Sequence, residues 1–195
     1  MRSREAILLL LALALLGARP GYDAGAPVLS AGVCPGEIVA CSAPTARAWR
    51  DAAAYAIPLR MTPPHKSSDE LPQQSIDTLE VRALAAEDGL AIRLAWHDES
   101  VDLAPAQTGQ IGSFPDSVAV QLPVVGESEV LPALAMGSAE RPVNIWRWSA
   151  GVEEAEESVA EGFGKLRAVA EPTPVGASGQ RDGAGWVVTL WRPYA

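Results

Sequence analysis

The sequence predicts an all-β protein, an antiparallel β-sandwich with long loops, and two features of the chain lead to this fold class. Sixteen prolines are spread through 195 residues, and each one fixes its own φ angle and removes a backbone donor, so the segments between them are short. Several of these segments alternate apolar and polar residues with a period of two, as half-buried strands do. One domain of ordinary size is expected after any leader.

The N-terminus has the pattern of a secretory signal peptide, which we place at residues 1–26. Arg2 and Arg4 precede an apolar stretch from Ala6 to Leu16, which is too short to span a membrane as a helix. Small residues that suit cleavage follow, and the cut is expected between residues 18 and 26. The pattern predicts a periplasmic protein with no membrane span once the signal is removed.

Residues 27–48 are rich in Ala, Gly and Pro and show no periodicity, so they are predicted to be a linker. This segment contains the only two cysteines, Cys34 and Cys41, with six residues between them. Their spacing fits neither haem attachment through a Cys-x-x-Cys-His motif nor a four-ligand zinc site. A short-loop disulfide is the favoured interpretation in an oxidising compartment, and two unpaired thiols are the alternative.

The strands are predicted within residues 49–195, which we take as the domain proper. The apolar run Ala53–Leu59 is the first candidate. Leu79–Leu84 and Leu90–Trp96 alternate and flank a Glu-Asp-Gly turn at residues 87–89, so they predict a β-hairpin. Three later strands are predicted at Val118–Leu122, Val143–Trp148 and Trp186–Trp191.

The segment Val152–Val159 is the one helix-like stretch of the sequence. It carries four glutamates and almost no apolar face, so we predict a solvated helical turn or an acidic loop. The glutamates lack the alternating spacing of a calcium-binding loop, which argues against a calcium site.

The charge of the chain excludes one class of partner. Its formal net charge is −9 at pH 7, whereas nucleic-acid binding needs Lys and Arg to displace counterions from phosphates. An acidic surface instead suits solubility or docking to a basic patch on another protein.

Met136 is the most informative candidate for chemistry. The sequence has no Gly-x-Ser-x-Gly motif, and its only histidines are His65 and His97, so a catalytic triad is not supported. Met136 stands in a loop-like segment with Gly137 directly after it, and a thioether is a soft ligand for haem iron. The residues alone leave two interpretations open, an iron ligand and a methionine that fills the core.

An ordered set of stretches resembles a known family. The chain is similar to the haem-b-binding gamma subunits of the ethylbenzene dehydrogenase, dimethylsulfide dehydrogenase, chlorate reductase and selenate reductase group, which belong to complexes of the DMSO reductase family. The stretches that carry the resemblance are Trp49 with the strand to Leu59, Leu79–Leu84, Ile92–Asp98, Phe114–Gln121, Met136-Gly137-Ser138 and Pro142–Trp148.

The resemblance implies a β-sandwich that holds haem b with a methionine and a lysine as axial ligands. The methionine corresponds to Met136. The resemblance places the lysine after the strand Trp186–Trp191, and we expect it beyond residue 195, in a longer form of the chain. The sequence itself has only Lys66 and Lys165. Lys165 lies in a glycine-bearing turn and is either a second candidate or a solvent-facing side chain.

The resemblance also implies a role and partners. Such a subunit is not itself an enzyme, and it relays electrons between the iron–sulfur and molybdenum subunits of its complex and a soluble cytochrome or other electron carrier. Two alternatives stay open. The first is a non-catalytic carbohydrate- or ligand-binding module of the DOMON type, in which Trp146 and Trp148, on one side of a strand, form a sugar platform. The second is a domain that has lost its haem.

Overall fold

A computed structural model describes residues 11–12, 28–59, 76–104, 115–124, 136–152, 154–169 and 175–194. Within these ranges the chain forms twelve strands, two short 3-10 helices and no α-helix. The 3-10 helices are Ile38–Cys41 and Arg47–Arg50. The strands are β1 (Leu11–Ala12), β2 (Val28–Leu29), β3 (Gly32–Val33), β4 (Tyr55–Pro58), β5 (Thr78–Ala86), β6 (Gly89–His97), β7 (Ser117–Pro123), β8 (Val143–Ser149), β9 (Glu156–Ala160), β10 (Leu166–Ala168), β11 (Gly176–Arg181) and β12 (Gly185–Pro193).

The strands form two main sheets in a sandwich-like arrangement, which confirms the predicted all-β fold class. One sheet has the order β11-β12-β6-β5-β3, with β4 also paired to β5, and the other has the order β10-β9-β8-β7. The pairs in both sheets are antiparallel except β3 with β5, which is parallel. The short strands β1 and β2 pair only with each other. The predicted hairpin and the other predicted strands are all confirmed.

The main core lies between the two sheets. Alternation places one face of β5, β6 and β12 inward, and Ile92, Val188 and Leu190 are fully buried there. Trp146 and Trp148 of β8 meet them from the four-stranded sheet, and the rings of Trp148 and Trp186 pack edge to face with centroids 5.0 Å apart.

A second, smaller core lies on the outer face of the six-stranded sheet. Residues 28–48, predicted to be a linker, contribute to it, because Cys34, Ile38 and Cys41 are buried against Leu84 and Ala91. Cys34 and Cys41 form a disulfide. The six-stranded sheet is therefore covered on both faces.

Arginines on this outer face hold residues 28–52, which we call the cover, against the sheet. Arg82 donates from Nη1 to the backbone oxygens of Trp49 and Ala52, and Arg93 donates from Nε to Pro44 O. Glu80 accepts from both guanidinium groups, at 2.9 and 3.1 Å. The hydrogen bond from Arg82 and the charge of both arginines hold the pKa of Glu80 below its usual value.

The prediction for Val152–Val159 was wrong, because residues 156–160 form strand β9. Every residue of β9 pairs with β8, and alternation turns Glu157 into the space between the sheets while Glu156 faces solvent. The inward glutamate is tolerated because Arg192 and Asn144 donate to it, at 2.6 and 2.7 Å. Among the described residues no helix is long and apolar enough to cross a membrane.

Candidate functional site

Met136 lies in a turn that leads into β8, and its backbone is in an unusual conformation. It is the only described non-glycine residue with a positive φ, at 65°, and Gly137 follows at 66°. A side chain larger than hydrogen forced into this region costs about 1–2 kcal/mol. Such strain persists only where the surrounding structure imposes it, and it is concentrated at functional sites.

The backbone around Gly137 is packed so closely that only glycine fits. A Cβ atom at Gly137 would lie 2.7 Å from Arg141 O and 3.2 Å from Ala160 O. The next residues form a tight turn in which Ser138 and Arg141 exchange backbone hydrogen bonds of 3.0 and 3.1 Å. The turn therefore fixes the backbone of Met136 while its side chain is half-buried.

A second turn, residues 161–165, lies directly beside Met136. The amide of Gly162 donates to Met136 O at 2.8 Å, and the amide of Lys165 donates to Gly162 O at 3.1 Å. Two large apolar side chains stand exposed, Phe163 in this turn at 72% and Leu166, the first residue of β10, at 56%. The structure thus brings together two residues that the sequence singled out separately, Met136 and Lys165, through their turns.

The charge near these turns is mixed. Glu140 has its pKa held below the usual value by a backbone hydrogen bond, by Ser138 and by the nearby charges of Arg141 and Lys165. The side chain of Lys165 is exposed to solvent.

A buried polar network, which the sequence analysis missed, holds β9 beneath the Met136 turn. Glu157 is 3% exposed at its side chain and links Arg192 of the other sheet to Asn144 of β8. Trp146 donates from Nε1 to Asn144 Oδ1 and extends the network into the core. From the sequence, the inward direction of Glu157 follows only from its place in the in-and-out alternation of a strand, and that strand was not predicted.

The remaining candidate residues are elsewhere. The Cys34–Cys41 disulfide lies on the outer face of the six-stranded sheet. His97 is 69% exposed at its side chain and lies 3.7 Å from Glu99. His65 and Lys66 lie outside the described residues. In the described part of the chain no group of three or more His, Cys, Asp or Glu side chains is placed to hold a metal ion.

The tryptophans do not form a sugar platform. Trp146 and Trp148 do lie on one side of β8, as predicted, but that side faces the core and they are 4% and 5% exposed. Trp49, Trp96 and Trp186 are also buried, and the remaining one, Trp191, packs partly buried on the outer core. All six tryptophans are in the described residues. The sugar-binding alternative depended on Trp146 and Trp148 forming an exposed platform, and the structure shows them buried.

The residues present fit a haem iron. The thioether of Met136 is a soft donor held by a rigid turn, and the exposed side chains of Phe163, in the neighbouring turn, and Leu166, at the start of β10, provide apolar surface. Fold and site together define a class of protein, a β-sandwich domain whose candidate cofactor ligand is a methionine in a left-handed turn.

The comparison with known proteins identifies the family. The chain belongs to the ethylbenzene dehydrogenase family, whose sequence profile matches residues 46–193. It is 32% identical over 149 residues to a protein of Haloferax mediterranei named as a respiratory nitrate reductase haem subunit. The aligned residues are 76% of this chain and 51% of that protein. It is 36% identical over 116 residues to chlorate reductase subunit gamma of Ideonella dechloratans, which covers 59% of this chain and 45% of that one. The chain therefore spans about half the length of these relatives, and the predicted family resemblance is confirmed.

Proposed function

We propose that this chain binds haem b through Met136 and serves as the electron-transfer subunit of an exported molybdoenzyme complex. The observation that carries the proposal is the strained, closely packed turn at Met136, within a family whose relatives are named as subunits of nitrate and chlorate reductases. When bound, haem b takes up and releases single electrons, and a thioether ligand favours the reduced iron and raises its potential.

The chain's own residues have three tasks in this role. Met136 supplies the thioether, and the 138–141 turn together with Gly162 fixes the backbone that presents it. Phe163 and Leu166 offer apolar surface that excludes water from a bound macrocycle. Glu157 and Arg192 tie the two sheets together below the turn. None of these tasks breaks a bond in a substrate, so the subunit is proposed to be non-catalytic.

The proposed partners follow from the family. An iron–sulfur subunit and a molybdenum subunit would exchange electrons with this chain on one side, and a soluble cytochrome or other electron carrier on the other. The signal-like residues 1–26 support a periplasmic location. The mass of the exported protein tests this last point, because cleavage is expected between residues 18 and 26, and an uncleaved chain in the cytoplasm would contradict it.

The visible spectrum tests the haem ligand. The chain would be expressed with export and examined oxidised and reduced, with haemin added if the protein is colourless. We expect a low-spin reduced b-type spectrum that becomes high-spin in Met136→Ala. Met61→Ala is the matched control, because Met61 is the one other methionine after the leader, and its spectrum should equal that of wild type.

The same experiment can refute the proposal. A chain that stays colourless with added haemin does not bind haem in this form. A haem protein whose spectrum is unchanged in Met136→Ala uses another ligand, and Lys165→Ala would then show whether the neighbouring turn supplies it.

A further inference from the structure

A group of exposed apolar side chains lies at the end of the sandwich opposite to Met136. Val101 and Leu103, in the loop that follows β6, are 51% and 53% exposed, and Val152, in the turn that follows β8, is 37% exposed. The two segments touch, because a Cβ atom at Gly151 would lie 3.5 Å from Leu103 Cβ. We call Val101, Leu103 and Val152 the distal patch.

The first half of the loop that carries the patch is held by Arg181. Its guanidinium donates from Nη2 to Asp98 O at 2.8 Å and from Nη1 to Ser100 O at 3.1 Å. The carboxylate of Asp98 in turn accepts from the backbone and the hydroxyl of Ser100, at 3.0 and 2.8 Å. Val101 therefore projects from a backbone that is fixed on both sides of Ser100.

Residues 102–104 are held by Asp116, just before β7, and Ala150, just after β8. The amide of Asp102 donates to Asp116 Oδ2 at 3.0 Å, and the amide of Asp116 donates back to Asp102 O at 2.8 Å. The amide of Ala104 donates to Ala150 O at 2.7 Å. A loop with this many hydrogen bonds does not expose Leu103 through local unfolding, so the apolar surface is presented by a preorganised backbone.

Acidic side chains surround the distal patch. Glu99, whose side chain is 86% exposed, and the exposed residues Asp102 and Glu154 lie beside its three apolar members. Of the positive groups nearby, Arg181 has its guanidinium bound to the loop carbonyls and stacked 5.2 Å from the ring centroid of Trp186, and Arg147 is paired with Glu156 at 3.3 Å. An apolar centre with a charged rim is the arrangement of a protein–protein contact.

We propose that the distal patch docks a protein that presents an apolar surface surrounded by lysine and arginine. The acidic rim selects a basic partner and speeds its approach, and the preorganised apolar centre limits the entropy lost on contact. The proposal goes beyond haem binding, because no residue of the distal patch belongs to the Met136 turn. A small contact of this kind suits a transient partner.

Titration of the full chain with a mitochondrial cytochrome c tests the proposal, since that protein has lysines around an apolar haem edge. Amide chemical shifts of the labelled chain should change at residues 99–104 and 150–154. Val101→Ser with Leu103→Ser should weaken binding about tenfold or more, and Val33→Ser, which replaces a valine that is 80% exposed near the other end of the sandwich, should leave it unchanged. Raising the salt from about 20 to about 200 mM should also weaken it about tenfold.

Several results would overturn the proposal. These are the absence of binding at about 1 mM cytochrome c, shift changes confined to other residues, and a Val101→Ser, Leu103→Ser chain that binds like wild type. Ultracentrifugation of the chain alone provides a further test. If the chain forms a dimer and the double substitution abolishes it, the patch binds a second copy of this chain and the proposal is overturned. The result is separable from the haem proposal, because binding is expected with or without haem.

Discussion

Because the backbone at Met136 is left-handed, we expect Met136→Gly to be more stable than Met136→Ala, which is the reverse of the usual order of these two residues. Both Met136→Ala and Met136→Gly remove a half-buried side chain, which costs about 1 kcal/mol of burial in each case. Alanine keeps the strain of a φ angle of 65°, about 1–2 kcal/mol, whereas glycine releases it. Glycine adds about 0.5–1 kcal/mol of backbone entropy to the unfolded chain. The glycine variant should therefore be more stable than the alanine variant by about 0.5–1 kcal/mol.

Urea unfolding of the haem-free chain, followed by tryptophan fluorescence, measures the difference. At a position with an ordinary negative φ alanine would be the more stable variant, so the sign alone is decisive. An alanine variant as stable as the glycine variant would show that Met136 is not held in the left-handed region, and the argument that strain marks this site would fail. Both variants lack the thioether, so haem-loaded samples of both should show the same loss of the low-spin spectrum.

Three further predictions concern stability. Cys34→Ser with Cys41→Ser should lower the free energy of unfolding by about 2.5 kcal/mol, from the closure entropy of a short loop, and dithiothreitol should lower the stability of the wild type alone to match. Gly179→Ala should cost about 1–3 kcal/mol in urea unfolding, because the new Cβ overlaps the ring of Trp148; an unchanged midpoint would contradict that packing. Glu80 has a lowered pKa in the folded chain, so its contribution to stability is present above the unfolded pKa of about 4.3 and is lost as the pH falls through the folded pKa. Glu80→Gln removes this contribution, so the free energy of unfolding should fall less steeply on the acid side of its pH curve.

The sequence predicted those elements whose signal is local. Strands β5 and β6 alternate and flank a turn, and their bounds were recovered within about two residues. Met136 was singled out because its chemistry is rare in this chain and because the family resemblance supplied a role for it, and its role as a ligand stays a prediction. The alternation needs only neighbouring residues, whereas the resemblance needs an ordered set of stretches along the chain.

The elements that the sequence did not predict depend on distant partners. Strand β9 contains an inward glutamate that is acceptable only because Arg192 lies 35 positions later and reaches it. Strand β11 has the composition of a loop, and its glycines are required because the rings of Trp148 and Trp191 lie against the backbone. Residues 28–48 show no period because they cover a sheet as turns and 3-10 helices, in which burial follows no simple repeat.

The segment that covers the outer face, residues 28–48, has a consequence for the order of folding. Ile38 is completely buried against the turn at Asp88 and Gly89 and beside β12, so its binding surface is completed only when β12, much later in the sequence, is in place. The ring closed by the only two cysteines is short, however, and such a ring forms locally with no need for the sheet. Oxidation can therefore shape this segment in advance, with no competing cysteine among these 195 residues, and the preformed segment then docks once β12 is in place.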